Sequence, residues 1–106
     1  MKRVGVFPGS FDPFTKGHED IVLRAIPLFD ELVIGIGVNQ NKKYFFDTNS
    51  RVAHIKSLFA DHDSVTVEAY SGLTVDFCKE KKARYLIRGL RNTGDFEYEE
   101  AIGQMN

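Results

Sequence analysis

The stretch from Leu32 to Val38 carries no polar side chain. A strand that alternates apolar and polar residues can keep one face in water. A strand apolar at nearly every position must be covered on both faces, which is the setting of a parallel sheet held between helices. The rest of the chain is punctuated to match. Apolar runs at residues 2–7, 31–38, 64–69 and 85–88 alternate with helical stretches at 17–28, 49–60 and 74–82, and a fourth helix is expected to start near Gly94. Ile21, Val22, Ala25 and Ile26 share one helical face, as do Val52, Ile55, Leu58 and Phe59, while Val75, Phe77 and Cys78 are expected to be buried in the third helix. Pro27 should kink or end the first helix, and Thr48 is the expected N-cap of the second. A βαβαβαβα order implies an α/β fold: a Rossmann-like parallel sheet with helices on both faces, here of four strands.

Length and charge narrow the functional classes. At 106 residues the chain is read as one domain. Its net charge of -1 gives no bulk attraction to nucleic acid or to a membrane surface. The lone Cys78 excludes an internal disulfide and a cysteine-based zinc cluster, and the spacing of His18, His54 and His62 suits no metal. With no leader pattern and no long apolar run, a cytoplasmic location is expected. Gly35-Ile36-Gly37 begins like G-x-G-x-x-G, but position 40 is Gln and the glycines lie inside a strand, so the dinucleotide fingerprint fails. No P-loop pattern is present.

Ligands of such sheets bind at the carboxyl ends of the strands, and the polar clusters of this chain fall there. After the first strand comes Pro8-Gly9-Ser10-Phe11-Asp12-Pro13-Phe14-Thr15-Lys16-Gly17-His18. The turn would bring Ser10 and the His18 imidazole to a helix N-terminus, whose unpaired N–H groups and dipole favour anions. Lys42 and Lys43 follow the second strand. Surface lysines are usually only solubilising, but the shared rim makes Lys42 a candidate phosphate contact. Residues 71–74 follow the third strand. Arg88-Gly89-Leu90-Arg91 ends the fourth, where glycine permits close backbone approach and arginines can clamp phosphate oxygens. A helix dipole alone would explain most of Asp95, Glu97, Glu99 and Glu100. Cys78 is read as core, His54 and His62 as surface or satisfied residues, and Tyr44, Phe45 and Phe46 as packing their loop against the core.

These motifs resemble a known family. Pro8-Gly9-Ser10-Phe11-Asp12-Pro13 with Thr15-Lys16-Gly17-His18 is similar to the [TH]-x-G-H nucleotidyltransferases. Ile87-Arg88-Gly89-Leu90-Arg91 followed by Asp95-Phe96-Glu97-Tyr98-Glu99 narrows the resemblance to bacterial phosphopantetheine adenylyltransferases, along the whole chain. Thr at position 15 agrees with that branch rather than with the cytidylyltransferases. The resemblance implies adenylyl transfer from ATP to 4′-phosphopantetheine, giving dephospho-coenzyme A and pyrophosphate, by in-line attack without a protein nucleophile. It implies Mg²⁺ on the ATP phosphates. It assigns Ser10, Phe11, His18, Gly89, Leu90, Arg91 and Glu99 to ATP and Ser10, Lys42, Thr74 and Arg88 to the acceptor. His18, Lys42, Arg88 and Arg91 would stabilise charge, and no residue ligates a metal. A homohexamer inhibited by coenzyme A is also implied. The family continues past residue 106, into a fifth strand and an Ile-Ser-Ser phosphate motif that nothing here matches, so the chain is expected to be an N-terminal portion. Two alternatives stay open: another nucleotidyltransferase of the superfamily, using nicotinamide mononucleotide or a sugar-alcohol phosphate, and a truncated ligand-binding domain without turnover.

Overall fold

The computed structural model describes residues 2–89 and 96–100. Its elements are β1 (Val4–Gly9), α1 (Lys16–Ala25), a 3-10 turn (Ile26–Leu28), β2 (Glu31–Gly37), α2 (Thr48–Leu58), β3 (Val65–Tyr70), α3 (Thr74–Glu80), β4 (Tyr85–Gly89) and β5 (Phe96–Glu100). They build one sheet in the order β3-β2-β1-β4-β5. β1 to β4 run parallel, and β5 is antiparallel to β4. The chain steps outward from β1 to β3, then returns across the sheet to place β4 beside β1. Right-handed crossovers in these two directions put α1 and α2 on one face and α3 on the other.

Side-chain parity along the strands confirms the two layers. Phe7, Leu32, Ile34, Ile36, Val67 and Ile87 meet Ile21, Val22 and Ala25 of α1 and Ile55 of α2. Val4, Val6 and Val33 meet Phe77 and Cys78 of α3 on the opposite face. That second layer is thin, because α3 has only seven residues. It closes over Gly35, where a Cβ would come within 2.8 Å of Phe77. Phe77 lies flat on Tyr70, with ring centroids 4.2 Å apart.

Three expectations are corrected. The region assigned to a fourth helix contains a fifth strand, Phe96–Glu100, so the sheet has five strands among the described residues rather than four. The sequence there alternates, and both faces of the strand are used. Phe96 packs on the α1-side core and Tyr98 meets Phe29 and Tyr85. Glu97 and Glu99 turn the other way toward Arg88, and Glu100 pairs with Arg84. These carboxylates answer cross-strand cations, not a helix dipole. Asp95 lies outside the described residues. Second, the N-cap of α2 is Asp47, whose carboxylate accepts the Ser50 N–H at 2.7 Å, and Thr48 is the first helical residue. Third, β1 runs on through Pro8 and Gly9. Pro27 ends α1 as expected, leaving the 3-10 turn.

The seat of the Tyr70–Phe77 stack on Gly35 can be tested. Gly35→Ala should lower stability by about 1–3 kcal/mol through overpacking, measured by urea unfolding. An unchanged midpoint would mean that the stack does not rest on the strand.

Candidate active site

A proline inside a sheet withdraws one ladder donor, so a central strand that contains one must lose pairing on a side. In β1 the loss falls toward β4. Pairing with β2 continues to Gly9–Ile36, whereas pairing with β4 is confined to Gly5–Tyr85 and Val6–Leu86. The sheet therefore opens at the carboxyl ends of β1 and β4. This is also the point from which the connections diverge in opposite directions, the usual ligand position in open α/β sheets. A cavity of 470 Å³ occupies the opening, lined by residues 7–13, His18 and Gly89.

The turn that closes this cavity is held by its aromatic residues. Phe11 adopts a left-handed backbone with φ of 48°, rare for a bulky residue and a mark of imposed conformation. Its ring folds back against Gly9, where a Cβ would sit 2.8 Å from it. Glycine at position 9 is thus required by a close approach. Phe11 in turn packs edge-on against Phe7, Phe14 and His18.

His18 occupies the third position of α1, and its role is set by Thr15 at the N-cap. The Thr15 hydroxyl accepts the His18 N–H at 3.3 Å, and the His18 Nδ1 accepts the Thr15 N–H at 3.0 Å. This is a reciprocal capping box with imidazole in place of the usual Glu or Gln. It accounts for the three-residue spacing from Thr15 to His18. Because Nδ1 accepts a hydrogen bond, the neutral ring carries its proton on Nε2. Burial among the three phenyl rings lowers the pKa of His18 below its ordinary 6.5. The site thus presents a neutral N–H donor, wedged in place, at the mouth of the opening between β1 and β4.

The other candidates divide by strand parity. Gly89 faces α1, with Ile21 close behind it, and lines the cavity. Arg88 points to the α3 side, where Glu97 holds it at 2.8 Å and Glu99 stands 4.0 Å away. Thr74, at the start of α3, is on that side as well, its hydroxyl 2.8 Å from the Tyr70 hydroxyl. Lys42 sits in an exposed turn with its ammonium 5.6 Å from the Tyr44 ring. Ser10, Phe11, His18 and Gly89 therefore share one cavity, which Lys42, Thr74 and Arg88 do not line. Leu90 and Arg91 lie outside the described residues. Among the described residues no three His, Cys, Asp or Glu side chains converge as a metal site, and no helix is long and apolar enough to cross a membrane.

The sequence reading missed Arg51, buried at the head of α2. The expected packing of Tyr44, Phe45 and Phe46 against the core also fails: Phe45 is 92 % exposed and Phe46 is exposed, while Tyr44 lies under the Arg51 guanidinium.

Comparison with known proteins decides the family. The cytidylyltransferase-like family profile matches residues 6–106. A phosphopantetheine adenylyltransferase of Cytophaga hutchinsonii is 54% identical over the whole chain, which covers 71% of that protein. One from Flavobacterium psychrophilum is 55% identical over 98% of the chain and 69% of the relative. The chain belongs to the phosphopantetheine adenylyltransferase family. Among solved structures, a bifunctional NMN adenylyltransferase/ADP ribose pyrophosphatase from Francisella tularensis, complexed with AMP and manganese, matches with a TM-score of 0.58 at 27% identity, over 76% of this chain and 25% of that one. A lipopolysaccharide core biosynthesis protein from Thermoplasma volcanium matches with a TM-score of 0.59 at 26% identity, over 79% of this chain and 71% of that one. This adenylyltransferase-family chain shares its sheet with both.

The state of His18 gives a pH-dependent prediction. Its folded pKa lies below the unfolded 6.5, so between the two values the unfolded chain holds a proton that the folded one does not. The His18 contribution to stability is full above pH 6.5 and is lost as pH falls through the folded pKa. Urea midpoints taken from about pH 7.5 to about pH 5 should decline more steeply in the wild type than in His18→Gln, which keeps a capping side chain without the titration. Parallel profiles would show that His18 is not buried neutral.

Proposed function

We propose that this chain transfers the adenylyl group of ATP to 4′-phosphopantetheine, yielding dephospho-coenzyme A and pyrophosphate in coenzyme A synthesis. The observation that carries the reading is the match at 54–55% identity to enzymes of that name across nearly the entire chain, joined to a cavity built around a fixed imidazole donor. An oxygen of the acceptor phosphate attacks the α-phosphorus, a new P–O bond forms, and the bond to the β-phosphate oxygen breaks as pyrophosphate leaves. No protein nucleophile is consumed. The task left to the protein is alignment and stabilisation of the charge on the α-phosphoryl oxygens.

The His18 Nε2–H suits that second task. A neutral donor strengthens its hydrogen bond as charge grows on the phosphoryl oxygen, and a wedged ring reorganises little. Ser10, Phe11 and Gly89 would hold the nucleotide beside it, with Leu90, Arg91 and Glu99 assigned to the same substrate. Gly17 supports this side of the reading: nothing lies closer than 3.6 Å to a Cβ placed there, so packing within the chain does not call for glycine, whereas a ligand approaching the helix N-terminus closely would. Lys42 in its exposed turn and Thr74 and Arg88 on the α3 side are the acceptor contacts of the proposal, with Ser10 meeting both substrates. Mg²⁺ would enter with ATP and would be held largely by phosphate oxygens and water, as suits an ion that dehydrates reluctantly.

The wider assignments belong to the same proposal. Coenzyme A carries the acceptor's pantetheine arm and would compete for its rim as an inhibitor. A cytoplasmic homohexamer is proposed, with Leu23, Leu28 and Leu73 as exposed apolar surface for contacts between copies.

The test is pyrophosphate release from ATP and Mg²⁺ with 4′-phosphopantetheine, nicotinamide mononucleotide or a sugar-alcohol phosphate as acceptor. Release with phosphopantetheine alone is expected. His18→Ala should lower kcat by about 10²–10³-fold while the KM for ATP changes little. Turnover with another acceptor would move the chain to a different nucleotidyltransferase, and ATP binding without any release would make it a ligand-binding domain.

A further inference from the structure

Arg51 is 3 % exposed, the one buried charged side chain among the described residues. Its recorded hydrogen bonds all go to neutral oxygens. One terminal nitrogen donates to the Ser10 carbonyl at 2.6 Å, Nε to the Phe46 carbonyl at 3.0 Å, and the second terminal nitrogen to the Thr48 hydroxyl at 3.3 Å. The face of the guanidinium lies 4.3 Å from the centre of the Tyr44 ring. A planar fork that donates in three directions while stacking is a task for arginine that lysine cannot perform.

Tyr44 carries the connection further. Its hydroxyl accepts the Asn39 N–H at 2.9 Å. Asn39 then closes the turn that bears Lys42: its side chain accepts the Asn41 N–H at 2.9 Å and its carbonyl accepts the Lys42 N–H at 3.0 Å. Across the same junction, the Asp12 carboxylate accepts the N–H groups of Phe45 at 2.6 Å and Phe46 at 2.9 Å. An unbroken series of contacts thus runs from the Ser10 carbonyl, through guanidinium and phenol, to the Lys42 turn.

We propose that Arg51 and Tyr44 are positioning residues that hold the Lys42 turn in register with the Ser10–His18 turn, with Asp12 fastening the junction from the other side. The consequence for catalysis rests on the proposed function, in which Lys42 meets the acceptor and His18 the nucleotide. The device matters because in-line transfer depends on the relative placement of two substrates, and these two loops are joined by no strand pairing. A displacement of about 1 Å between them is worth on the order of 10²-fold in rate.

Tyr44→Ala and Tyr44→Phe test the proposal while leaving all three hydrogen-bond acceptors of the Arg51 guanidinium in place, and Arg51→Lys tests the fork itself. In Tyr44→Ala the KM for 4′-phosphopantetheine should rise about tenfold while the KM for ATP stays within about twofold. Tyr44→Phe, which keeps the ring against Arg51 but loses the hydroxyl that accepts the Asn39 N–H, should show most of the same rise. Arg51→Lys should behave like Tyr44→Ala. Amide hydrogen exchange on the same proteins reads the clamp without turnover: protection of Asn39, Asn41 and Lys42 should fall in Tyr44→Ala while that of Ile55 and Phe59 persists. Equal rises in both KM values, or unchanged protection at residues 39–42, would overturn the proposal. A wild-type chain with no turnover would reject the functional reading beneath it, and the exchange data would then decide the clamp alone.

Discussion

Pro8 cannot donate a backbone hydrogen bond, and the position of that missing donor organises the site. β1 is the middle strand of the sheet and keeps its pairing with β2 to the end, so the pairing that stops is the one with β4. The resulting opening coincides with the topological divergence of the sheet. A parallel sheet offers a crevice there in any case, and Pro8 deepens it. Gly9 then lets the Phe11 ring fold back, and the Phe7, Phe11 and Phe14 rings form the socket in which His18 is wedged. Apolar packing thus fixes a polar atom, which is how a site can be preorganised with little charge of its own.

Electrostatics in this chain act locally. A net charge of -1 draws no anion from a distance. What the cavity offers is a local donor, an imidazole that is neutral because Nδ1 is engaged and the ring is partly buried. Strand parity then sorts the remaining groups. Neighbouring residues Arg88 and Gly89 point to opposite faces of the sheet, so a two-residue motif contributes an open surface to one side and a cation to the other.

Much of this was legible in the residues. The all-apolar β2 announced a sheet covered on both faces, and punctuation by glycine and proline separated the elements. The Ser10–His18 turn, with its chemistry, fell at a strand end as the fold class requires. Features that depend on partners distant in sequence were not legible. Phe96–Glu100 carries a period of two, yet acidic residues after a glycine also resemble a helix start. The choice is made by Arg84 and Arg88 on the adjacent strand and by Phe29 beneath Tyr98. Arg51 drew no attention because nothing local shows that the Ser10 carbonyl, 41 positions earlier, awaits its donor. The imidazole capping box was within reach: a Thr three residues before a side chain able to accept a hydrogen bond is a sequence signal, disguised here because the acceptor is histidine rather than Glu or Gln.

The claim on which the site depends is that the fold presents His18 as a neutral imidazole with its proton on Nε2. Long-range proton–nitrogen NMR of the imidazole at neutral pH measures this directly, free and with a non-hydrolysable ATP analogue and Mg²⁺. The expected spectrum shows an unprotonated Nδ1 and a protonated Nε2 whose resonance shifts when the nucleotide is added. A ring protonated on Nδ1, whether as the other neutral tautomer or as an imidazolium in the free protein at that pH, would contradict the capping geometry, and the Nδ1–H tautomer would also remove the Nε2 donor from the cavity.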